Sequence, residues 1–523
     1  MFIELFIFVA TSLVAYYLYV YKKIHYHFDA AGVKYVPGLP IFGNIIKSTF
    51  LRRHIFEDLD AVYRAFPDEK YVGYIEGTVP IILIKDPEII KSVTVKNFDH
   101  FMNHKKFINE EFEPLFGGSL LMMDGERWRD MRTTLSPAFT GSKMRHMLPF
   151  MMEISSNVID YLKDHQTEDT NVDDLIRRYT NDVIASAGFG INVNSFKDRE
   201  NEFFMTGQNL FRFNWWQRFA FFIVIQFPGL AKLFDNVMFP KKTSDFFRNI
   251  VRNTIEYRRK NNVERPDMIQ LLMETTKGTL KQTENENDSV GFATVNEELK
   301  YHGHTRDWTE NEMMAQVFIF FVAGFESSAS ALVMCVHELA LNYDVQEKLY
   351  QEIKDFKETK GHLTYENISD LKYLDAVLNE TLRKWSPAII LDRICNKEYI
   401  LPAPHEGGSP YRVKPGDAVY NSVNSLHMDA RYFPDPTKFD PERFSDENKH
   451  NIKPFTYIPF GTGPRNCIGS RFALLELKVL LYDLVLNYKI LKITKTSDPI
   501  DLKKDEFNMK AAGGSWVRFQ ARD

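Results

Sequence analysis

The strongest constraint on this chain is a glycine-rich stretch near its C-terminal end, Phe460-Gly461-Thr462-Gly463-Pro464-Arg465-Asn466-Cys467-Ile468-Gly469. Gly461, Gly463 and Gly469 give a tight loop the backbone freedom to wrap around a bulky group. Leu474, Leu477, Leu481 and Val485 then recur at helical spacing, so Arg471 to Tyr488 reads as a helix with Cys467 just ahead of it. Exposed amides and the positive end of the helix dipole favour a thiolate there. Phe460 can shield the sulfur, and Arg465 offers a cation to a nearby carboxylate. Zinc would demand several Cys or His ligands, and no such cluster surrounds the loop. A single thiolate suits haem iron far better. The plain alternative is a buried structural cysteine, and the surrounding pattern outweighs it.

Cys335, Cys395 and Cys467 are an odd, sparse set that argues against a disulfide framework and for a body on the reducing, cytosolic side of a membrane. A net charge of −5 carries no basic excess and points away from a nucleic-acid partner. Phe2 to Tyr21 is almost wholly apolar or aromatic, about the 20 residues a helix needs to cross a bilayer. Lys22 and Lys23 follow at once, which puts the body in the cytosol. A cleaved secretory signal would want a basic segment before the run and a small-residue site after it, and neither is evident. The organisation expected is an anchor at 1–21, a basic connector rich in Pro and Gly at 22–44, and one large domain at 45–523.

Strands are expected at VGYI and IILI around Glu76-Gly77, and again at Ile389 to Ile394 and Ala418 to Val423. Most of the remainder has helical character, so the fold class is mainly α with small β-sheets. Glu256 to Glu274 reads as a charged surface helix, and Thr275 to Asp307 as an exposed polar loop. The aromatics between Phe203 and Phe239, Phe211, Phe213, Trp215, Trp216 and Phe219 among them, suit either core or a surface dipping into the bilayer.

The central helix candidate opens with Thr309 and Glu312 as a capping box. Val317 to Val322 is apolar on all sides and should be buried. Ala323 and Gly324 then let a flat macrocycle approach, while Glu326 and Ser327 inside an apolar run demand explanation. The simpler account is a helix distorted by serine back-bonding, with Glu326 paired elsewhere. Glu380 and Arg383 share one face of a helix whose apolar stripe is Leu371, Leu374, Leu378 and Leu382. Two lookalikes fail: His337-Glu338 lacks the second histidine of a zinc-protease helix, Leu341 standing there, and Gly461-Thr462-Gly463 lacks the third glycine of a dinucleotide loop.

Phe460 to Gly469 resembles the haem-ligand loop of the cytochrome P-450 family at each diagnostic Phe, Gly, Arg, Cys and Gly position. The likeness runs from the Pro-rich connector to the C-terminus and is nearest the microsomal detoxifying branch of insects. It implies a single haem domain with haem b as cofactor and Cys467 as the iron ligand, with Phe460, Gly461, Gly469, Ala323 and Gly324 around the group. It implies that Trp128, Arg132, Arg393 and Arg465 meet the haem carboxylates, and that Glu380, Arg383 and the Arg443 of Pro441-Glu442-Arg443-Phe444 form a structural lock. Glu326 and Ser327 would deliver protons, Ser327 standing where the family usually has threonine.

The activity implied is insertion of one oxygen atom of dioxygen into a lipophilic small molecule such as a xenobiotic, steroid or fatty acid. Electrons would come from a separate NADPH-dependent flavoprotein reductase, with cytochrome b5 as a further donor. The single-pass protein would sit in the endoplasmic reticulum membrane, facing the cytosol. Arg127, Arg129, Lys384 and Lys438 are candidates for the reductase face. Substrate walls are expected from Phe101 to Met123, Phe211 to Phe222, Phe318 to Ser327 and Ala388 to Leu391. A haem-thiolate isomerase or dehydratase needing no reductase, or a haem carrier or sensor, are the rivals; Glu326 and Ser327 argue against both.

Overall fold

Two apolar segments set the architecture, one at the N-terminus and one at the centre of the chain. The computed structural model describes residues 2–212, 214–226, 230, 233–234, 239–276, 289–295 and 308–522. The helices that carry the site are α1 (Phe2–Ala31), α2 (Gly125–Leu135), α3 (Gly141–Asp164), α4 (Val172–Ile184), α5 (Lys241–Asn261), α6 (Met268–Thr276), α7 (Glu310–Leu341), α8 (Lys372–Lys384) and α9 (Ser470–Asn487). The main sheet uses β1 (Tyr71–Glu76), β2 (Val79–Ile84), β3 (Ile390–Ile394) and β4 (Ala418–Ser422). Helix dominates and the sheets are small, as the sequence predicts.

The helix α7 begins where the capping box places it. Thr309 Oγ1 accepts from the Glu312 amide at 3.3 Å, and the Glu312 carboxylate accepts from the Thr309 amide at 2.9 Å. Beyond that start it is apolar all round and packs against α4, α8 and α9. Phe321 stacks on Phe325 and meets Phe189, Phe203 and Phe247, so the middle of the helix is walled by aromatic rings.

The sheet runs in the order β1-β2-β4-β3. A tight turn at Gly77, in the left-handed region with φ 63°, joins β1 to β2. The strand β4 lies parallel to β2 and antiparallel to β3, so that Arg393 sits opposite Val419.

Along α1 the side chains from Ile3 to Tyr19 are mostly exposed, and the helix is long and apolar enough to cross a membrane. It does not end at Tyr21. Val20, Ile24 and Phe28 repeat every fourth residue and are buried against the body, so the connector expected over 22–44 is helical as far as Ala31. His25 Nδ1 lies 2.9 Å from the Tyr35 hydroxyl, and His27 Nε2 lies 2.7 Å from that of Tyr411. Phe28 stacks on Tyr35 directly over Gly73 of β1, where a Cβ would stand 2.7 Å from the Phe28 ring.

Two further expectations need correction. Glu256 to Glu274 is not one helix: α5 stops at Asn261, Asn262 turns into the left-handed region, and Pro266 precedes the start of α6. Arg258 and Asp267, both buried, pair across that break. The polar stretch Thr275 to Asp307 is not uniformly exposed either: Val290 is buried and its carbonyl is held by Lys478 at 2.6 Å. The flanking parts of that stretch, 277–288 and 296–307, lie outside the described residues, as does Phe213.

Replacing Gly73 by valine forces a side chain into the Phe28 ring, an overpacking cost of about 1–3 kcal/mol. Thermal unfolding should register a lower melting temperature, and Phe28→Ala in the same chain should recover part of it.

Candidate active site

The Cys467 loop is closed by its own backbone. The Cys467 amide donates to Phe460 O at 2.8 Å, Gly461 N to Ile458 O at 3.0 Å, and Asn466 N to Gly463 O at 3.0 Å. Gly461 and Gly463 are in the left-handed region, with φ 73° and 72°, and a Cβ on Gly463 would overlap the Thr94 carbonyl. Gly469 has φ −93° and simply precedes α9, so the turn does not require its conformational freedom. Cys467 is exposed, yet the surface it exposes faces a cavity inside the protein. Burial pushes its thiol up, while the Gly469 amide and the charge of Arg132 pull the other way.

That cavity, of about 460 Å³, lies between α7 and the Cys467 loop. Phe460, Cys467 and Ile468 line it from the loop, and Ala323, Gly324 and Ser327 from α7. A Cβ on Gly324 would press on Ile184 Cδ1 at 3.1 Å. Trp128, Arg132, Arg465 and His104 line it too. The Arg465 guanidinium lies 4.2 Å over the Trp128 ring and donates to the carbonyls of Met102, Leu120 and Met123 at 2.9, 3.3 and 2.6 Å. Arg132 donates to Asn466 O and Oδ1 at 2.7 and 2.6 Å, fastening α2 to the loop.

The electrostatics of this corner are unbalanced toward cations. Burial, then Arg393, then Arg132, push Arg465 well below its ordinary value. Burial alone takes Arg393 down to about 10, and its Nε has no hydrogen-bond partner among the described residues. Burial works to raise Asp392, but His104, the Lys105 amide and Arg393 outweigh it and hold the carboxyl at about 2. His104 Nδ1 sits 3.0 Å from Asp392 Oδ1. A flat macrocycle bearing carboxylates fits these residues. The sulfur faces the space, the small residues of α7 leave room, and crowded guanidinium groups would be relieved by an anion.

Behind the loop, Glu380 and Arg383 are both fully buried. Arg383 Nε donates to Glu380 Oε2 at 2.7 Å, and a second nitrogen donates to Oε1 at 2.8 Å. Arg383 also reaches the carbonyls of His427 and Pro436, at 2.9 and 2.8 Å. Arg443 stands off at 3.5 Å from Glu380, an ion pair without hydrogen-bond geometry. Burial still leaves the Glu380 carboxyl above its usual value despite Arg383.

Other sequence candidates fall elsewhere. Ser327 lines the cavity with its hydroxyl donating back to Ala323 O at 2.6 Å. Glu326 is not among the lining residues; it is buried in ion pairs with Arg177, at 2.9 Å, and Lys510. Lys384 is no surface residue but is largely buried against Glu338, while Arg127, Arg129 and Lys438 each face a carboxylate. Of the expected walls, Leu120, Leu121, Ile319, Phe320, Ala388 and Leu391 line the cavity. Nothing described from Phe211 to Phe222 does: Phe211 stacks on Phe325 and Phe222 on Phe42, and Trp215, Trp216 and Phe219 are exposed. Sequence reasoning missed Ile184, Phe139, Leu382 and Asn508 as lining residues, and missed His104 as the partner of Asp392. A histidine in a basic run carries no signal of a partner 288 residues away. His337, the lookalike ligand, is a buried residue bonded to Ser515 and Ser497.

The family model described as cytochrome P450 matches residues 34–517. The chain is 41% identical over 509 residues to "Probable cytochrome P450 9f2" of Drosophila melanogaster, covering 95% of both chains. It is 40% identical over 516 residues to "Cytochrome P450 9e2" of Blattella germanica, covering 95% of this chain and 94% of the relative. It is 35% identical to "Cytochrome P450 6k1" of the same organism, over 94% of this chain and 92% of the relative. A helical fold with a cysteine loop facing a cation-rimmed cavity is the framework of a haem-binding oxidoreductase. The chain belongs to the cytochrome P450 family. It is a monooxygenase, with haem as cofactor and a redox partner, dioxygen and a lipophilic substrate as its reactants.

Glu380→Gln leaves Arg383 as an uncompensated charge in a fully buried site, a loss of about 3–5 kcal/mol by denaturant or thermal unfolding. His427 supplies a pH prediction. Its Nε2 accepts from the Ile458 amide at 2.9 Å, and burial followed by Arg383 lowers its pKa from 6.5 to about 3. The unfolded chain therefore binds this proton first. The contribution is complete above pH 6.5 and is lost as pH falls toward 3, by up to about 1.4 kcal/mol per pH unit. His427→Asn should flatten that part of the stability–pH curve.

Proposed function

We propose that Cys467 would supply the thiolate that holds a haem b between α7 and the loop before α9, and that the protein oxidises lipophilic small molecules, xenobiotics foremost. The observation that carries this reading is the exposure of Cys467 into a cavity it shares with Ala323, Gly324 and Ser327. Bound there, haem supplies the iron at which dioxygen is reduced and one oxygen atom passes to substrate. Electrons come from a separate NADPH-dependent flavoprotein reductase, with cytochrome b5 as a further donor.

The chain's own residues divide the remaining work. Trp128, Arg132 and Arg465, which line the cavity, would hold the two carboxylates and fix the orientation of the ring, with Arg393 adding its charge from beside Arg465. Phe460 and Gly461 shield the sulfur from water, and Gly469 directs its amide at it. Ile184, Ile319, Phe320, Ala388 and Leu391 give an apolar wall that selects lipophilic substrates. Ser327 holds a hydroxyl at that wall and hands on protons from it. Glu326, one residue back and tied to Arg177 and Lys510, feeds that relay when its carboxylate swings from those cations.

The exposed apolar run of α1, followed by Lys22 and Lys23, supports a single-pass anchor in the endoplasmic reticulum with the body in the cytosol. Trp215, Trp216 and Phe219 are exposed on a helix tied to the post-anchor connector through the Phe222–Phe42 stack, which fits insertion of that helix into the same bilayer.

The test is the difference spectrum of the reduced, carbon monoxide-bound protein. A strongly red-shifted Soret band in the wild type, absent in Cys467→His, supports the ligand. A band at the position of histidine-ligated haem in folded wild type would overturn it. With the reductase present, Ser327→Ala should lower product formed per NADPH consumed; an unchanged ratio removes the serine from the relay.

A further inference from the structure

Seven residues inside the long polar stretch, 289–295, dock where the cysteine loop is supported. The segment makes its own turn: the amides of Val290 and Gly291 donate to Thr294 Oγ1 at 3.2 and 3.0 Å, and Thr294 N donates to Gly291 O at 3.0 Å. It then contacts three separate elements. On α8, Asp375 Oδ2 accepts from the Phe292 amide at 2.9 Å. On α9, Lys478 donates to Val290 O at 2.6 Å, and Ser470 Oγ accepts from Val295 N at 3.4 Å. Between them, the Phe292 ring stacks on Tyr457 with centroids 5.9 Å apart and meets the edge of Phe444 at 5.7 Å.

The fit is specific. Val290 is 2% exposed, and a Cβ on Gly291 would overlap Asp375 Oδ1. Lys478 has no exposed surface; its charge is balanced by Asp375 at 2.8 Å, an ion pair without hydrogen-bond angles. The hydrogen bond this buried ammonium makes goes to a loop carbonyl, so removing the loop would leave it with the Asp375 ion pair. Each contacted element bears on Cys467. Ser470 is three residues beyond it, Phe444 follows Arg443 of the Glu380 cluster, and Tyr457 donates to Asn379 Oδ1 of α8 at 2.8 Å.

We propose that residues 289–295 are a clip that holds the Cys467 loop in register, with Phe292 and Lys478 as positioning residues for the thiolate. The proposal rests on Cys467 being the haem ligand. The clip contacts α8, the turn at Phe444 and the start of α9 at once.

The full-length holoprotein in detergent gives the test. The long-wavelength band of the reduced carbon monoxide complex is followed with time at mildly raised temperature, and global unfolding is followed in parallel by circular dichroism. Phe292→Ala, at a residue 41% exposed, removes the contacts with both Tyr457 and Phe444 and should hasten loss of the band about fivefold or more, with global unfolding little changed. Gly291→Val should act the same way, and Phe292→Tyr should restore the wild-type rate. If both disrupting variants keep the band as long as wild type, or lose it only in step with global unfolding, the clip has no positioning role. A wild type lacking the long-wavelength band defeats the ligand assignment instead, so the two failures are distinguishable.

Discussion

Burying Glu380 and Arg383 without any exposure commits the surrounding chain to one arrangement. A desolvated pair is tolerable when every remaining donor and acceptor is met, and breaking it is expensive. Here the carboxylate takes two bonds from Arg383 and one from the Asp440 amide at 2.9 Å, while Arg383 spends its other protons on the carbonyls of His427 and Pro436. From His427 the path continues. Its Nε2 accepts from Ile458 N, Ile458 O accepts from Gly461 N, and Phe460 O accepts from Cys467 N. The cysteine is thus tied by short, satisfied hydrogen bonds to a pair on another helix, and the Phe292 contacts reach the same region from outside.

The opposite edge of the cavity obeys different physics. Around Cys467 the loop is over-bonded and rigid, whereas Arg393 and Arg465 are buried among like charges with Asp392 as the nearby counterweight. Such a corner is costly to fold alone and gains most when an anion enters. His104 adds a hydrogen-bonding partner to that carboxylate. Sequence reasoning has no access to such a pairing, because it depends on β3 lying beside the Phe101–Lys106 stretch, where Asn103 bridges Ile394.

What was legible in the chain was local and periodic. The capping box at Thr309, the buried run after it, the strands around Gly77 and the Leu371–Leu382 stripe each depend on neighbours within a few residues, and each appears as expected. The misreadings share a different cause. Lys384 and Val290 look polar or loop-like in sequence but are buried by partners far along the chain, Glu338 and Lys478. The apolar repeat of Val20, Ile24 and Phe28 was hidden among lysines and histidines, so α1 ran further than its hydrophobic stretch. At the site, the cysteine loop was legible because its glycines, arginine and cysteine stand side by side in the chain. The placement of Glu326 was not, since a helix turn decides whether an acid faces a cavity or the cations behind it.

The extension of α1 bears on how the site meets the membrane. Phe28 presses on Gly73 of β1, β1 pairs with β2, β2 with β4, and β4 with β3, which carries Asp392 and Arg393. A helix that ended at Tyr21 and led into a flexible connector would let the body tumble above the bilayer. With its last turns docked on β1, the apolar helix is coupled through the sheet to the cation corner of the cavity. Its tilt is then set by packing rather than by chain length. The exposed Trp215–Phe219 face, on the helix stacked through Phe222 on Phe42, is where the proposed insertion would add a second contact with the bilayer. Under that proposal, two attachments would fix an orientation where one would fix only a distance, and an apolar cavity would gain from being held toward the phase in which its substrates dissolve.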